Sequence, residues 1–112
     1  MDEITDEYMM SMLPTTKAYT LVLLKAGPNR TMDGADKIVW EHGRRNFGLR
    51  ADGVLDVVCP VMDDSEVCGV GIFSTSAEET ERIMAGDPGV VAGVFRYDVH
   101  PCRSFPGDAL TG

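Results

Sequence analysis

The 112-residue sequence predicts one α+β domain whose strands and helices follow the order βαββαβ. Four runs rich in branched and aromatic residues have the length of strands, and two segments with helical periodicity lie between them. A short acidic turn joins the middle two strands as a hairpin. This is the split βαβ order, in which right-handed crossovers place both helices on one face of a four-stranded antiparallel sheet. A hydrophobic content of 44% suits one modest core, so we expect no second domain.

The first strand is predicted at residues 18–25, which read AYTLVLLK and end at the turn-forming sequence Gly27-Pro28-Asn29. Residues 1–17 precede it and carry several methionines between acidic and turn-forming residues. We predict a loose, flexible arm there; alternatively, its methionines cover a partner subunit.

The first long helix is predicted to begin after Asp33 as N-cap and to end at Asp52-Gly53. At about 100° per residue, one arc of this helix carries mostly apolar residues and faces the sheet. The residues on this arc are Ala35, Ile38, Val39, His42, Asn46 and Leu49. His42 therefore interrupts a buried stripe.

The hairpin strands are predicted at 54–61 and 66–74, and Gly69 and Gly71 leave one face of the second strand bare. Such spacing marks either a close approach of backbone or ligand or a packing accommodation. Ser76 begins a capping box for the second helix, which ends before Asp87-Pro88, and residues 89–93 can form one further turn. The last strand, 94–100, alternates strictly and is predicted to stop at Pro101, leaving residues 102–112 as a tail.

Charge and composition exclude several classes of function. A net charge of -8, from 18 acidic and 10 basic residues, argues against nucleic acid and anionic lipid as partners. No stretch approaches the roughly 18 apolar residues that span a bilayer, and the acidic start lacks the basic opening of a signal peptide, so we expect a cytoplasmic protein. The three cysteines have no zinc or disulfide spacing, and we expect no metal and no cofactor.

His42 and Asp87 are the candidate catalytic residues. A buried imidazole needs a hydrogen-bond partner, and this topology can bring the helix ends together over the sheet. A carboxylate beside an imidazole fixes its tautomer and lets it act as a base. The alternative is that His42 is a satisfied core residue and that Asp87 is a cap or turn former.

Candidate substrate-binding residues lie near the first strand and on the first helix. Tyr19 and Arg30, with Lys25 and Asn29, lie on or just after the first strand, where they could orient an anionic substrate. Trp40, seven residues from Phe47, forms a second apolar strip that either lines a pocket or touches a partner. Solvated loop residues and core-edge packing are the alternatives.

Several segments resemble the YCII-related family of small dimeric α+β barrel proteins. They are LVLLKAGPNR, WEHGRRNF, GVLDVVCPV and GDPGVVAGVFRYDVHP, within residues 18–101. The most specific part is the run of Asp87, Pro88 and Gly93 before the last strand, together with a histidine in the first helix. Two departures would alter the pocket wall: Cys59 stands where the family often has Gly before Pro, and Cys102 where it has an aromatic residue.

The resemblance implies a ferredoxin-like fold with His42 and Asp87 as the active-site pair. It also implies proton-abstraction chemistry, such as elimination or isomerisation of ring-degradation intermediates. Because the uncovered sheet face carries apolar residues, a second copy can bury it, and we expect a homodimer. Two hypotheses follow: a cofactor-independent lyase or isomerase, or a non-catalytic dimer that binds a small ligand or another protein.

Overall fold

The computed structural model of the protein describes residues 2–112. It contains four strands and four α-helices in this part of the chain. In chain order they are α1 (Asp6–Met12), β1 (Lys17–Ala26), α2 (Ala35–Ala51), β2 (Leu55–Pro60), β3 (Val67–Phe73), α3 (Ala77–Ala85), α4 (Pro88–Val91) and β4 (Phe95–Ser104). A 3-10 turn, Leu13–Thr15, joins α1 to β1.

The strands form one antiparallel sheet in the order β2-β3-β1-β4. β1 is central and pairs with β4 over its whole length, from Lys17 opposite Ser104 to Ala26 opposite Phe95. The predicted α+β class and four-stranded antiparallel sheet are confirmed, and the arrangement is compatible with a ferredoxin-like fold.

The core lies between the helices and one face of the sheet. Alternate β1 residues, Thr20, Val22 and Leu24, are buried on this face. Ala35 of α2 and Met84 of α3 belong to the same buried cluster, together with Leu55, Phe73, Val94 and Phe95. Both long helices therefore cover the same side of the sheet, because their apolar stripes need that burial.

The opposite face of the sheet is open. The β1 residues that alternate with the buried ones, Tyr19, Leu21 and Leu23, are only partly buried. Lys25 continues this row, and its ammonium lies 2.7 Å from the Asp98 carboxylate on β4. The face thus combines apolar side chains with an ion pair.

The amino-terminal segment that was predicted to be a loose arm contains a helix, so this prediction is wrong about its secondary structure. Thr5 caps a helix there, since its hydroxyl accepts the Tyr8 amide hydrogen, and Asp6 and Glu7 lie in the first turn, where acidic residues favour a helix. The helix α1 contains no buried residue, so it projects from the body of the protein.

The predicted end of the last strand at Pro101 is also wrong. β4 continues to Ser104, and Cys102 pairs with Tyr19. Proline lacks an amide hydrogen, but an edge strand tolerates it when that position faces away from the neighbouring strand. β4 is such an edge strand, so the tail begins only after Ser104.

Of the three predicted helix-end residues, two are confirmed and one is wrong. Asp33 was the wrong N-cap for α2, because Gly34, in the left-handed region at φ +83°, precedes the helix. Gly53 follows the helix at φ +73°, as expected of a glycine that ends one. Ser76 caps α3 by accepting the Glu79 amide hydrogen. None of the helices in residues 2–112 is both long and apolar enough to cross a membrane.

Candidate active site

A cleft of about 780 Å³ lies between α2, the loop after β1 and the β2–β3 side of the sheet. Its polar lining includes His42 and Asn46 from α2 and Arg30 from the loop. Its apolar lining comes mainly from the sheet and includes Val22, Leu24, Leu55, Val58, Phe73 and Phe95. A concave, mostly apolar site with few polar groups is the usual form of a small-molecule site, and this volume lies within the usual range.

Gly69 and Gly71 both line the cleft. A Cβ atom at Gly71 would lie 3.3 Å from side-chain atoms of Leu55 and Phe73, so this glycine also allows the core to pack. The packing alternative therefore applies to Gly71, and the ligand alternative stays a prediction.

Asp87 is held by the helix that it starts. Its backbone is extended (ψ 133°), as the following Pro88 favours, and Pro88 is the first residue of α4. The Oδ2 atom accepts the amide hydrogens of Gly89 (2.9 Å) and Val90 (3.3 Å). Asp87 is therefore an N-cap, which leaves Oδ1 free to face α2.

Oδ1 of Asp87 lies 2.8 Å from Nδ1 of His42. The carboxylate is 1% exposed and the imidazole 12%. Because a carboxylate accepts, Nδ1 carries the hydrogen, and Nε2 is left with a lone pair. The Asn46 amide, assigned with its nitrogen 3.3 Å from Nε2, donates to that lone pair. His42 and Asn46 both line the cleft, so a bound molecule that reaches Nε2 would displace the Asn46 amide from it.

Arg45 places a positive charge beside the same carboxylate oxygen. Its Nη1 lies 3.8 Å from Oδ1 of Asp87, too far for a hydrogen bond. This nitrogen is buried and has no hydrogen-bond partner within residues 2–112. Asp87 is thus the negative centre of a group in which His42 and Arg45 both approach Oδ1.

The aromatic ring of Phe95 contacts both His42 and Arg30. The ring of His42 lies 4.8 Å from the Phe95 centroid, tilted by 53°. The guanidinium carbon of Arg30 lies 5.6 Å from the same centroid, within the range of a cation–π contact. One buried ring therefore restricts the positions of both the imidazole and the guanidinium.

The structure brings three of the five predicted site residues together: His42, Asp87 and Arg30. Tyr19 lies on the open face of the sheet, opposite to the buried Thr20, and Trp40 is 71% exposed on the outer side of α2. Neither lines the cleft. The placement of Tyr19 and Trp40 in the same site as His42 is therefore wrong for a single chain.

Two further candidates near β1 have structural contacts. Lys25 pairs with Asp98 on the open face. Asn29 donates its amide hydrogen to the Ala92 carbonyl, and the side chain closes against Gly93, whose φ of +74° and lack of Cβ allow this approach. This contact fastens the loop that carries Arg30.

Sequence reasoning assigned no role to Asn46, Arg45 or Phe95. Asn46 had a usable signal, because it lies four residues after His42 on the same helix arc. Arg45 lies outside that arc, and Phe95 is one of many apolar residues in strands, so neither had a signal.

Neither a scan against protein-family models nor a search of curated proteins finds a match to this chain. The resemblance to the YCII-related family therefore stays a prediction from the motif residues.

Proposed function

We propose that the protein is a cofactor-independent lyase or isomerase of YCII-related type that moves a proton on a small organic molecule. The observation that carries the proposal is the His42–Asp87 contact of 2.8 Å at the edge of a cleft large enough for such a molecule. A base, a group that orients it and a cavity are the parts that proton abstraction requires.

The proposed step begins when Nε2 of His42 takes a proton from a carbon next to a carbonyl group. The C–H bond breaks, an N–H bond forms, and the electron pair moves into the carbonyl, which becomes an oxyanion. Asp87 stabilises the imidazolium through Nδ1, and Arg30 or backbone amides stabilise the oxyanion. Return of the proton to another carbon gives an isomer. In elimination the carbonyl re-forms, the enolate pair becomes a C=C bond, the leaving group departs with the electrons of its own bond, and His42 gives its proton to the leaving group.

The proposed assembly is a homodimer of ferredoxin-like domains, a dimeric α+β barrel, formed through the open sheet face. The partly buried Tyr19, Leu21 and Leu23 support this, since a two-fold axis places the same apolar patch on both sides of an interface. Leu23→Asp should convert a dimer to a monomer in light scattering after gel filtration. A wild-type chain that elutes as a monomer at all concentrations would contradict the assembly.

Hydrogen exchange tests the chemistry without knowledge of the substrate. A panel of carbon acids, namely unsaturated lactones, β-keto acids and cyclohexadienones, is incubated with the protein in D₂O, and loss of the C–H signal is followed by proton NMR. We expect exchange above background for at least one compound with the wild type. His42→Asn should abolish it, whereas His100→Asn, which changes the exposed histidine of β4, should not.

A non-catalytic ligand-binding module is the second candidate. The capping role of Asp87 and its burial at 1% favour it, because both would be present in a purely structural tie between α2 and α4. In that case His42→Asn should lower the free energy of unfolding and leave no exchange activity to lose. A folded His42→Asn variant that retains full exchange with the panel would refute the catalytic proposal.

A further inference from the structure

We infer that the cleft binds a small monocarboxylate with an apolar body and that Arg30 holds the carboxylate, which assigns the oxyanion of the proposed step to backbone amides. The inference deepens the proposed function, since it names the class of substrate for the same site. It depends on binding alone and not on the chemistry at His42.

Arg30 is a partly buried cation with no acidic partner among residues 2–112. The chain has 18 acidic residues against 10 basic ones, and the other partly buried cations, Lys25 and Arg45, each face a carboxylate. Removing a charge from water without a counter-charge is unfavourable. A ligand that carries its own carboxylate would supply the missing partner.

Arg30 and His42 both contact the Phe95 ring, so a carboxylate bound at Arg30 lies in the same cleft as the proposed base, His42. Arg30 lies over the Phe95 ring at 5.6 Å and His42 contacts the same ring at 4.8 Å. Contact with the ring restricts the guanidinium and leaves its N–H edge for a bidentate carboxylate. A molecule anchored there would share the cleft with His42 and with the apolar side chains of Leu24, Leu55 and Phe73.

Two acidic residues of the β2–β3 turn disfavour a second carboxylate on the ligand. Asp63 and Asp64 also line the cleft. The hydroxyl and the amide of Ser65 both donate to Asp63 and hold its pKa below the ordinary value, so it is an anion at neutral pH. Neither carboxylate lies within ion-pair distance of Arg30. A second carboxylate on the ligand would meet their repulsion.

Binding of three probes to the full chain tests the inference: phenylacetate, its neutral isostere phenylacetamide, and the dicarboxylate phenylmalonate. Dissociation constants are measured by NMR titration of wild type, Arg30→Met and Arg50→Met. Arg50 is a matched control, because its guanidinium also lies 5.6 Å from a phenylalanine ring, that of Phe47, but outside the cleft. Arg30→Lys is measured as well, because it keeps the charge if Arg30→Met does not fold.

Phenylacetate should bind wild type and Arg50→Met roughly tenfold tighter than phenylacetamide, as expected of a charged hydrogen bond. Arg30→Met should lose this preference, Arg30→Lys should weaken it, and phenylmalonate should bind less tightly than phenylacetate. Equal binding of acid and amide, no binding of phenylacetate, or an unchanged preference in the folded Arg30 variants would overturn the inference. The preference is a property of binding alone, so a chain that prefers phenylacetate through Arg30 but catalyses no hydrogen exchange would refute the proposed chemistry and leave this inference intact.

Discussion

Replacement of Asp87 by alanine removes three hydrogen bonds from a carboxylate that is 1% exposed. Loss of an N-cap costs about 1 kcal/mol. The buried donor of His42 also loses its acceptor, which adds about 1–3 kcal/mol, and Arg45 loses its only counter-charge in the described residues. We therefore expect Asp87→Ala to lower the free energy of unfolding by about 2–4 kcal/mol, a large part of the roughly 5–15 kcal/mol of an ordinary domain.

Urea unfolding followed by circular dichroism measures this change. Asp63→Ala is a matched control, because Asp63 accepts the amide hydrogen of Ser65 at 3.0 Å in the same i to i+2 pattern as Asp87 with Gly89, but is exposed. An exposed contact of this kind should cost clearly less, because water replaces the lost hydrogen bond. A loss below about 1 kcal/mol for Asp87→Ala, or equal losses for the two variants, would show that the buried contacts of Asp87 do not stabilise the fold.

Two further predictions concern packing and charge. Gly89→Ala would place a Cβ 2.5 Å from the Phe95 ring, so it should lower the free energy of unfolding by about 1–3 kcal/mol. Gly48→Ala, in open space on α2, should raise it by about 0.5–1 kcal/mol. Urea unfolding measures both changes. The hydrogen bond from Lys25 holds the pKa of Asp98 below its ordinary value. The Lys25–Asp98 contact therefore stabilises the fold at any pH above the ordinary pKa of an aspartate, and this stabilisation is lost as the pH falls through the lowered pKa of Asp98. Lys25→Met should raise the pKa of Asp98 in an NMR titration, and an unchanged value would exclude Lys25 as the cause.

The elements with clear local signals could be predicted from the sequence. Ser76 with its acidic first turn marked the start of α3, and Gly53 marked the end of α2. The strict alternation after Val94 marked β4, although Pro101 hid its last residues, because edge position depends on strand order and not on local sequence.

Local sequence signals do not show which face of β1 is buried. Both alternating sets of its side chains are largely apolar: Tyr19, Leu21 and Leu23 on one side, and Thr20, Val22 and Leu24 on the other. Only the positions of the helices decide which set is buried. This ambiguity placed Tyr19 in a site that lies on the other side of the sheet.

The candidate site could be predicted only in part, because His42 has a local sequence signal and its contact with Asp87 does not. Helical periodicity placed His42 on the sheet-facing arc, and the structure confirms that position. Asp87 became its partner in the prediction only through the family resemblance, because contact across 45 residues of chain has no local signal. The structure adds that one oxygen of Asp87 caps α4 while the other meets His42, so its structural and site contacts coexist.

Asp87 accepts the hydrogen of His42 Nδ1, and in the proposed reaction Nε2 of the same ring is the base. Long-range ¹H–¹⁵N NMR of the imidazole reports directly which nitrogen carries the hydrogen in the neutral form. We predict the Nδ1–H form for His42 in the wild type and a shift toward the Nε2–H form in Asp87→Ala. A neutral His42 that carries its hydrogen on Nε2 in the wild type would exclude Nε2 as the base.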